Sequence, residues 1–392
     1  MALQLRKSHS VETSRAQPRR HHYRQIDGAF NRLARVDWLL VFAITGLVII
    51  GTAMLYSAAG GNTSPWASRH LIRFAIGVAL MLTIAFVGIQ HCFKVSYFAY
   101  ALCFILLIIV ELVGSGTGAT RWLDIGIMRL QPSELMKVAL ILALARLLHN
   151  ASIESSNRIH VLGPAILMIL APSALVLRQP DLGTAMLIVI GGIVLLFLGG
   201  VALRKFGIAA AVACVVAPIA WFMLHDYQRS RILTFLQPDK DPLGAGYHII
   251  QSFIAMGSGG LFGKGWLKGT QSQLSFLPEK HTDFVFTMLG EELGLAGCVF
   301  VLVLFAVTIF RLYRIGLLAE ARFTRLVALG VATTLFLYVF INVAMVMGLM
   351  PVVGVPLPFI SFGGTAMLTL QVGLGVALAG AIDLKNPLQN MR

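Results

Sequence analysis

The chain has 392 residues, of which 57% are hydrophobic and 12% are charged, whereas soluble domains average roughly half apolar and about a quarter charged residues. Its formal net charge is +14, from 31 Lys and Arg against 17 Asp and Glu. This composition excludes an ordinary soluble enzyme. The basic residues lie at the N-terminus and between apolar runs, a distribution that argues against nucleic-acid binding.

The N-terminal segment, residues 1–35, is basic and carries too few periodic apolar positions to form a packed core. We therefore predict that it is a disordered tail. The apolar run that follows, 38–58, is too long for the apolar core of a signal peptide, and further apolar runs come after it. We predict that it is retained as a first membrane span.

Ten apolar runs predict an all-α membrane protein with ten transmembrane helices, because about 20 apolar residues in a helix cross ~30 Å of hydrocarbon. The predicted spans are 38–58, 71–90, 95–113, 134–149, 161–177, 183–200, 204–224, 284–310, 322–349 and 360–382. When the connections alternate between two sides, the side that holds the N-terminus collects most of the Lys and Arg, so both termini are predicted to be cytoplasmic. Residues 36–385 then form one polytopic domain, and residues 386–392 form a short cytoplasmic tail.

One connection is much longer than the others: residues 225–283, between spans seven and eight, on the predicted extracytoplasmic side. Loops of more than ~12–15 residues are uncommon unless they have a function. Within this loop, Tyr247–Met256 has one apolar face and is predicted to be a short helix at the bilayer surface. After span nine, Pro351, Pro356 and Pro358 predict a rigid re-entrant turn.

Four ionisable residues stand directly before span eight: Glu279, Lys280, His281 and Asp283. Near a low-dielectric boundary the pKa of a carboxyl group rises, and a general base works best when its pKa approaches the ambient pH. Asp283 is therefore a candidate general base. An alternative of equal weight is that these charges end the helix at the lipid headgroups and that Asp283 caps its N-terminus.

Glu134 and Lys137 are three residues apart and so lie on one face of span four. A lysine inside a span usually faces the protein interior, where it forms an ion pair or takes part in function. A purely structural salt bridge is the alternative. Upstream, Arg121 and Arg129 are cations suited to a phosphate or a carboxylate, unless they extend to lipid headgroups.

Lys264 and Lys268 lie among glycines whose backbone N–H groups can approach an anion, although the spacing matches no phosphate-binding fingerprint. The sequence has no nucleotide-binding motif, and its 4 cysteines and 10 histidines show no metal-ligand spacing. We therefore expect no nucleotide, haem or flavin. Carboxylates and cations on one outer face predict an amphiphilic, anionic substrate whose lipid stays in the bilayer.

These segments resemble the shape, elongation, division and sporulation (SEDS) family. The motifs are GATRWLDIG with QPSELMK, then QPDLGTA, LPEKHTDFVF followed by GEELG, and PLPFISFGG, and they occur in the family's order over almost the whole chain. GKGWLKGTQSQLSFLPEKHTDF and MPVVGVPLP are more similar to the elongation branch of the family than to its division branch. Phe359 and Phe362 replace the aliphatic residue and the tyrosine that are usual in the last motif.

The resemblance implies a peptidoglycan glycosyltransferase, an inverting enzyme with a lipid-linked sugar donor. It would polymerise lipid II during cell elongation and rod-shape maintenance and release undecaprenyl diphosphate. The resemblance also implies a place in the bacterial cytoplasmic (inner) membrane and use of a divalent cation, Mg or Mn, for which the sequence shows no ligand set. The implied partners are a class B penicillin-binding protein, which acts as transpeptidase, and other membrane proteins of the elongation complex.

The resemblance also assigns residues. The family's catalytic aspartate matches Asp283, and its functionally important pair in span four matches Glu134 and Lys137. Cations and a histidine on the same predicted side are expected to contact the diphosphate or the sugars; they are Arg121, Arg129, Lys264, Lys268, Lys280 and His281.

Three other functions stay open at this point. A transporter that flips lipid II between leaflets would also use Glu134 and Lys137 along its substrate path, but it has little need of a base such as Asp283 at the outer mouth. A division-type polymerase of the same family is the second. A non-catalytic scaffold is the third, although its basic tail could bind anionic lipid or a cytoskeletal partner; it leaves the polar long loop unexplained.

Overall fold

A computed structural model describes residues 29–113, 121–124, 126, 129–223, 226–237, 245–274, 276 and 279–383. Its helices are α1 Ala29–Ala34, α2 Trp38–Ala58, α3 Ala67–Val87, α4 Ile89–Val113, α5 Pro132–Asn150, α6 Ile159–Arg178, α7 Leu182–Leu198, α8 Leu203–Met223, α9 Asp226–Leu236, α10 Ala245–Gly259, α11 Thr270–Gln273, α12 Val285–Leu318, α13 Arg322–Val346 and α14 Gly364–Ile382. A 3-10 turn covers Ser155–Asn157, and two strands, β1 Leu123–Asp124 and β2 Arg129–Leu130, pair antiparallel. Most of the predicted N-terminal tail (1–28) and the predicted C-terminal tail (386–392) lie outside the described residues.

A helix lies over each of the ten predicted spans, namely α2 to α8 and α12 to α14. Seven of the described helices are long and apolar enough to cross a membrane by length and composition; they are α2, α3, α4, α6, α12, α13 and α14. Helix α7 is apolar but has 17 residues, and α5 carries Glu134 and Lys137 within its apolar sequence. The chain is thus a mostly helical, multi-pass membrane protein, and the count of ten crossings stays a prediction.

Helix α3 begins earlier than the hydropathy pattern indicates. The sequence predicts span two over 71–90, but the helix begins at Ala67. The predicted span starts after the polar residues Arg69 and His70 because they interrupt the apolar run. Both are nevertheless helical, and His70 is buried, with its Nε2 atom 3.0 Å from the main-chain oxygen of Phe359.

The segment 347–363 joins α13 to α14 without a helix, and most of residues 353–361 are buried, as expected for the predicted proline-rich turn. The Ser361 N–H donates to the Leu357 carbonyl at 2.9 Å, and the Phe362 N–H donates to the His281 carbonyl at 2.8 Å. These bonds hold apolar residues in a loop, so α14 begins at residue 364 and not at residue 360. A Cβ at Gly51 of α2 would lie 2.6 Å from the carbonyl oxygen of this turn's Phe359, so the close approach requires glycine.

Helices α13 and α14 form the centre of the bundle, since most of their residues are buried. Helix α14 lies against α3, where small residues allow the two backbones to approach. A Cβ at Gly375 would lie 2.7 Å from the Met81 carbonyl oxygen, and a Cβ at Gly77 would collide with the Gln371 side chain. Small residues have this role at many interfaces between membrane helices.

The connections between helices meet at two ends of the bundle. One end, which we call the cavity end, gathers the described parts of the connections 59–66, 121–131, 179–181, 260–284 and 347–363. There the Arg121 side chain donates to the Gln179 carbonyl at 2.9 Å and ties two of these connections together. At the opposite end, Arg311 forms a 2.7 Å ion pair with Asp37.

Three helices, α9, α10 and α11, lie within the predicted long loop. Helix α10 includes the predicted Tyr247–Met256 helix and is longer at both ends. Its Ser252 hydroxyl lies 2.8 Å from the Thr287 hydroxyl of α12 and donates to the Val346 carbonyl of α13 at 3.1 Å. Helix α10 is therefore fixed to the bundle, and its position relative to the bilayer stays a prediction.

Candidate active site at the cavity end

Asp283 lies at the cavity end, two residues before α12. The N-cap of α12 is Phe284, and no side chain caps the helix, so the alternative that Asp283 is an N-cap is wrong. Its main-chain carbonyl accepts a 3.0 Å hydrogen bond from Asn342 Nδ2. A Cβ at Gly354, where φ is 74°, would lie 3.6 Å from the Asp283 Oδ2 atom, so the turn passes directly beside the carboxylate.

The surroundings of Asp283 raise the pKa of its carboxyl group from the ordinary 3.8 to about 6. Burial is the largest cause, and the negative charge of Glu279 is the next. Asp181 raises the pKa further, whereas Arg231 and Arg121 lower it. The carboxyl group therefore exchanges its proton near neutral pH, which suits a general base.

Glu134 and Lys137 form the ion pair that their spacing predicts, with Lys137 Nζ 2.7 Å from Glu134 Oε1. The Tyr338 hydroxyl of α13 donates to the other oxygen of Glu134, and Lys137 also contacts that hydroxyl. Each of the three side chains is at least 95% buried. Tyr338 gave no signal in the sequence because it stands in the apolar run of span nine.

Asp283 and Glu134 line the same cavity of about 220 Å³, which we call the carboxylate cavity. Arg121, Asp181 and Tyr338 are also among its lining residues. Lys137 does not line it, because it stands behind Glu134. The fold thus brings together Asp283 and the span-four pair, which are about 150 residues apart in the sequence.

A larger cavity of about 870 Å³ adjoins the first, and we call it the arginine cavity because Arg69, Arg73 and Arg129 line it. Trp122 and Phe362 line both cavities. Phe362 lies under Arg73, whose guanidinium carbon is 4.6 Å from the ring centre. Arg129 was a predicted substrate contact, whereas Arg69 and Arg73 were missed because they flank an apolar run like any basic residue at the end of a membrane helix.

The other predicted substrate contacts do not line either cavity. Lys264 pairs with Glu291 of α12 at 2.9 Å, and Lys268 is exposed. Lys280 donates to the Ser272 carbonyl at 2.6 Å. His281 stacks on Trp66 of the α2–α3 connection, with ring centres 4.4 Å apart.

The position of Lys264 is explained by its ion pair with Glu291, one of the two buried carboxylates, Glu291 and Glu292, of the GEELG motif. Glu291 also accepts main-chain hydrogen bonds from Gln271 at 2.8 Å and from Ser272 at 3.1 Å. Glu292 accepts bonds from the Ser57 hydroxyl at 2.5 Å and from the Leu267 N–H at 3.2 Å. These carboxylates hold the Gly-rich connection against α12 and α2.

The described residues show no set of ligands for a divalent cation. Within the described ranges, no group of three or more His, Cys, Asp or Glu side chains could hold a metal ion. The residues present therefore do not fit a metal ion held by the protein alone, and we derive no chemical step from Mg or Mn. The cation stays a prediction from the sequence resemblance.

Comparison with known proteins extends over nearly the whole chain. Residues 32–384 match the family model FtsW/RodA/SpoVE, described as a cell cycle protein. The chain is 43% identical over 346 residues to peptidoglycan glycosyltransferase MrdB of Escherichia coli strain K12, which covers 88% of this chain and 93% of MrdB. It is 35% identical over 360 residues to stage V sporulation protein E of Bacillus subtilis strain 168, with 87% and 96% covered.

Solved structures have the same fold. A chain from a structure described as the structural coordination of polymerization and crosslinking by a peptidoglycan synthase complex is 33% identical, with a TM-score of 0.75, and the alignment covers 90% of this chain and 99% of that one. Rod shape determining protein RodA of Thermus thermophilus is 28% identical, with a TM-score of 0.68 and 90% and 98% covered. This chain therefore belongs to the FtsW/RodA/SpoVE family, as its sequence motifs predicted.

Proposed function

We propose that this chain is a peptidoglycan glycosyltransferase that polymerises lipid II into glycan strands during cell elongation and rod-shape maintenance. The names of its relatives MrdB and RodA support the activity and the process. The observation that carries the proposal is the position of Asp283. Its carboxyl group, with a pKa of about 6, lines a cavity that adjoins three arginines suited to an anionic leaving group.

In the proposed reaction, Asp283 accepts the proton of the 4-hydroxyl group of the acceptor N-acetylglucosamine. The hydroxyl oxygen attacks the anomeric carbon of the donor N-acetylmuramic acid. A carbon–oxygen bond forms there while the bond to the diphosphate breaks, and undecaprenyl diphosphate leaves with its electron pair. One displacement at this carbon converts the α linkage to a β linkage.

The leaving diphosphate needs positive charge, which preorganised donors supply best. We assign this role to Arg129, Arg69 and Arg73 of the arginine cavity. Arg121 lines the carboxylate cavity and is a further candidate contact. Lys264, Lys268, Lys280 and His281 line neither cavity, and we assign them no direct contact with the reacting atoms.

Glu134 and Lys137 have a different proposed role. Lys137 is held by Glu134 and Tyr338 and does not reach the carboxylate cavity. These bonds hold the Glu134 side chain where it lines the cavity. We therefore propose that Lys137 orients Glu134 toward the sugar and does not bind the diphosphate.

The membrane topology and the partner belong to the same proposal. We propose ten crossings in the bacterial inner membrane, with both termini in the cytoplasm and the cavity end outside, where lipid II is used. The solved peptidoglycan synthase complex that couples polymerization to crosslinking supports a crosslinking partner. We propose that this partner is a class B penicillin-binding protein, accompanied by other membrane proteins of the elongation complex.

The test is polymerisation of purified lipid II by the wild-type protein and by Asp283→Asn, each with and without the penicillin-binding partner, whose own chemistry is blocked. Loss of a general base typically costs about 10²–10⁴-fold in rate, so we expect strands from the wild type and almost none from the variant. Asp37→Asn is the matched control, because it removes a carboxylate at the opposite end of the bundle. It should retain polymerisation.

Two results would contradict the proposal. Full polymerisation by folded Asp283→Asn would show that another group is the base. Absence of strands from the wild type in every condition, together with movement of labelled lipid II across liposome bilayers, would favour a flippase.

A further inference from the structure

Asn342 is a fully buried amide in α13, one helical turn after Tyr338. Residues four apart lie on the same face of a helix, so both side chains point toward the carboxylate cavity region. Burying an amide among apolar helices costs free energy unless its polar atoms find partners. An asparagine at this depth therefore requires a specific reason.

The amide nitrogen of Asn342 has two acceptors on different segments. It donates to the Asp283 carbonyl at 3.0 Å and to the Val355 carbonyl at 2.7 Å. Its Oδ1 atom has no hydrogen-bond partner within the described part of the chain. Asn342 therefore donates two hydrogen bonds that join Asp283, just before α12, to the turn between α13 and α14.

The second of these segments is itself fixed. A Cβ at Gly183, near the start of α7, would lie 2.7 Å from the Val353 carbonyl oxygen and 2.8 Å from a Val355 side-chain carbon. The turn is thus pressed against α7 on one side and bonded to Asn342 on the other. Because Gly354 of this turn stands beside the Asp283 carboxylate, Asn342 sets the distance between that carboxylate and the cavity wall.

One face of α13 consequently holds two of the three acids that line the carboxylate cavity, Glu134 and Asp283. Tyr338 holds Glu134 by its side chain, whereas Asn342 holds Asp283 by its main chain. The second arrangement leaves the oxygens of Asp283 available to accept a proton.

We propose that Asn342 is a positioning residue, which fixes Asp283 through its backbone so that the carboxylate enters the cavity in one place. Its importance for catalysis rests on the proposed function, but its effect on Asp283 does not. A displacement of ~1 Å at a reacting group can cost on the order of 10²-fold in rate. Loss of the two bonds should therefore lower the rate of the chemical step more than the binding of substrate.

The experiment compares two variants that remove the amide. Asn342→Leu keeps the branching at Cγ but is larger, and Asn342→Ala is smaller and therefore fits even if leucine does not. Thr308→Val is the matched control. Thr308 is also fully buried in a membrane helix, where its hydroxyl donates to the Leu304 carbonyl at 2.9 Å. It lies one turn before Arg311, at the end of the bundle opposite Asp283.

The first measurement is steady-state lipid II polymerisation, corrected for the folded fraction of each variant. For both Asn342 variants we expect kcat to fall about 10–100-fold while KM stays within about twofold. Thr308→Val should keep the wild-type kcat per folded molecule, whatever it does to thermal stability.

The second measurement does not depend on polymerisation. The rate at which a hydrophobic carbodiimide modifies Asp283 is followed against pH by mass spectrometry, because this reagent reacts with protonated carboxyl groups. The Asn342 variants should change the rate or the midpoint, and Thr308→Val should change neither.

The outcomes are distinguishable. Wild-type modification of Asp283 and wild-type kcat in both folded Asn342 variants would overturn the inference. In a third outcome, the wild-type protein makes no strands, but the Asn342 variants still change the modification of Asp283. That result would support positioning by Asn342 and would count against the proposed function alone.

Discussion

Asp283 and Glu134 are two of the three carboxylates that line one cavity, and they have different surroundings. Glu134 is bonded to Lys137 and to Tyr338, whereas Asp283 has its main chain bonded and stands near Glu279. Pairs of acids in unlike environments commonly divide the roles in catalysis. We propose Asp283 as the base because, in the described part of the chain, no cation is seen bonded to its oxygens.

The pKa of Asp283 predicts the pH dependence of polymerisation. A base must be deprotonated, and the pKa of this carboxyl group is raised to about 6, so kcat/KM should rise with pH through about 6 and level off above it. Below this midpoint the rate should fall about tenfold per pH unit. Rates measured between pH 4.5 and 8 test this, and a flat profile across pH 6 would contradict it.

Glu279 provides a second test of the same carboxyl group. Its negative charge is the largest contribution to the raised pKa of Asp283 after burial. Glu279→Gln removes that charge, so the pKa of Asp283 should fall and the acidic limb should move to lower pH. Thr282→Val, which removes a hydroxyl bonded to Glu279 but no charge, is the control and should move the limb little.

The buried Glu134–Lys137 pair predicts a stability effect. Removing one partner of a buried pair leaves an uncompensated charge and costs about 3–5 kcal/mol, so Lys137→Met should strongly lower the free energy of unfolding. The double variant Glu134→Gln with Lys137→Met should lose less free energy of unfolding than the two single variants together, by about 0.5–3 kcal/mol. Unfolding in mixed detergent micelles measures all three, and simple additivity would show that the pair is not coupled.

At the scale of the elements, the close contact between helices α3 and α14 positions the residues that both helices supply to the arginine cavity. Helix α3 supplies Arg69 and Arg73, and α14 supplies Thr365 to the arginine cavity. Their separation is limited by Gly375, since a Cβ there would lie 2.7 Å from a main-chain oxygen of α3. Backbone cannot move aside as a flexible side chain does, so a larger residue must push the helices apart.

Gly375→Ala should therefore lower stability by about 1–3 kcal/mol, as overpacking does, and should also lower polymerisation by displacing the arginines. Gly163→Ala in α6 is the control, because a Cβ there has nothing within 4 Å. Thermal unfolding in detergent and polymerisation rates measure both variants. Equal behaviour of the two alanines would show that α3 and α14 are not tightly constrained.

Hydropathy alone located the helices, because a run of apolar residues is a local property that a membrane imposes directly. It misplaced the starts of α3 and α14, where contacts distant in sequence decide the structure, such as that of His70 with the Phe359 carbonyl. Charge spacing selected Asp283 and Glu134, which the fold brings into one cavity, but it passed over Arg73, which lines the adjoining cavity. It also predicted a substrate contact for Lys264, which pairs with Glu291 in the structure, and that contact stays a prediction.

At the scale of the whole molecule, the two ends of the bundle differ in kind. The cavity end holds both cavities and the carboxylates that line them. The opposite end holds ties between connections, such as the Arg322 bond to the Gly199 carbonyl at 2.5 Å and the ion pair of Arg311 with Asp37. A polymerase that acts on the outer leaflet needs its cavities outside, so the two ends should lie on different sides of the membrane.

This sidedness can be tested with two exposed residues, Glu154 between α5 and α6, and Lys268 between α10 and α11. Helices α6, α7 and α8 separate them, and three crossings place them on opposite sides. In a background without Cys92, Cys103, Cys214 and Cys298, a membrane-impermeant maleimide should label Lys268→Cys in intact spheroplasts. It should label Glu154→Cys only after the membrane is opened. Labelling of both from one side would show that one of the three helices does not cross, most readily the 17-residue α7, and the reverse order would place the cavities in the cytoplasm.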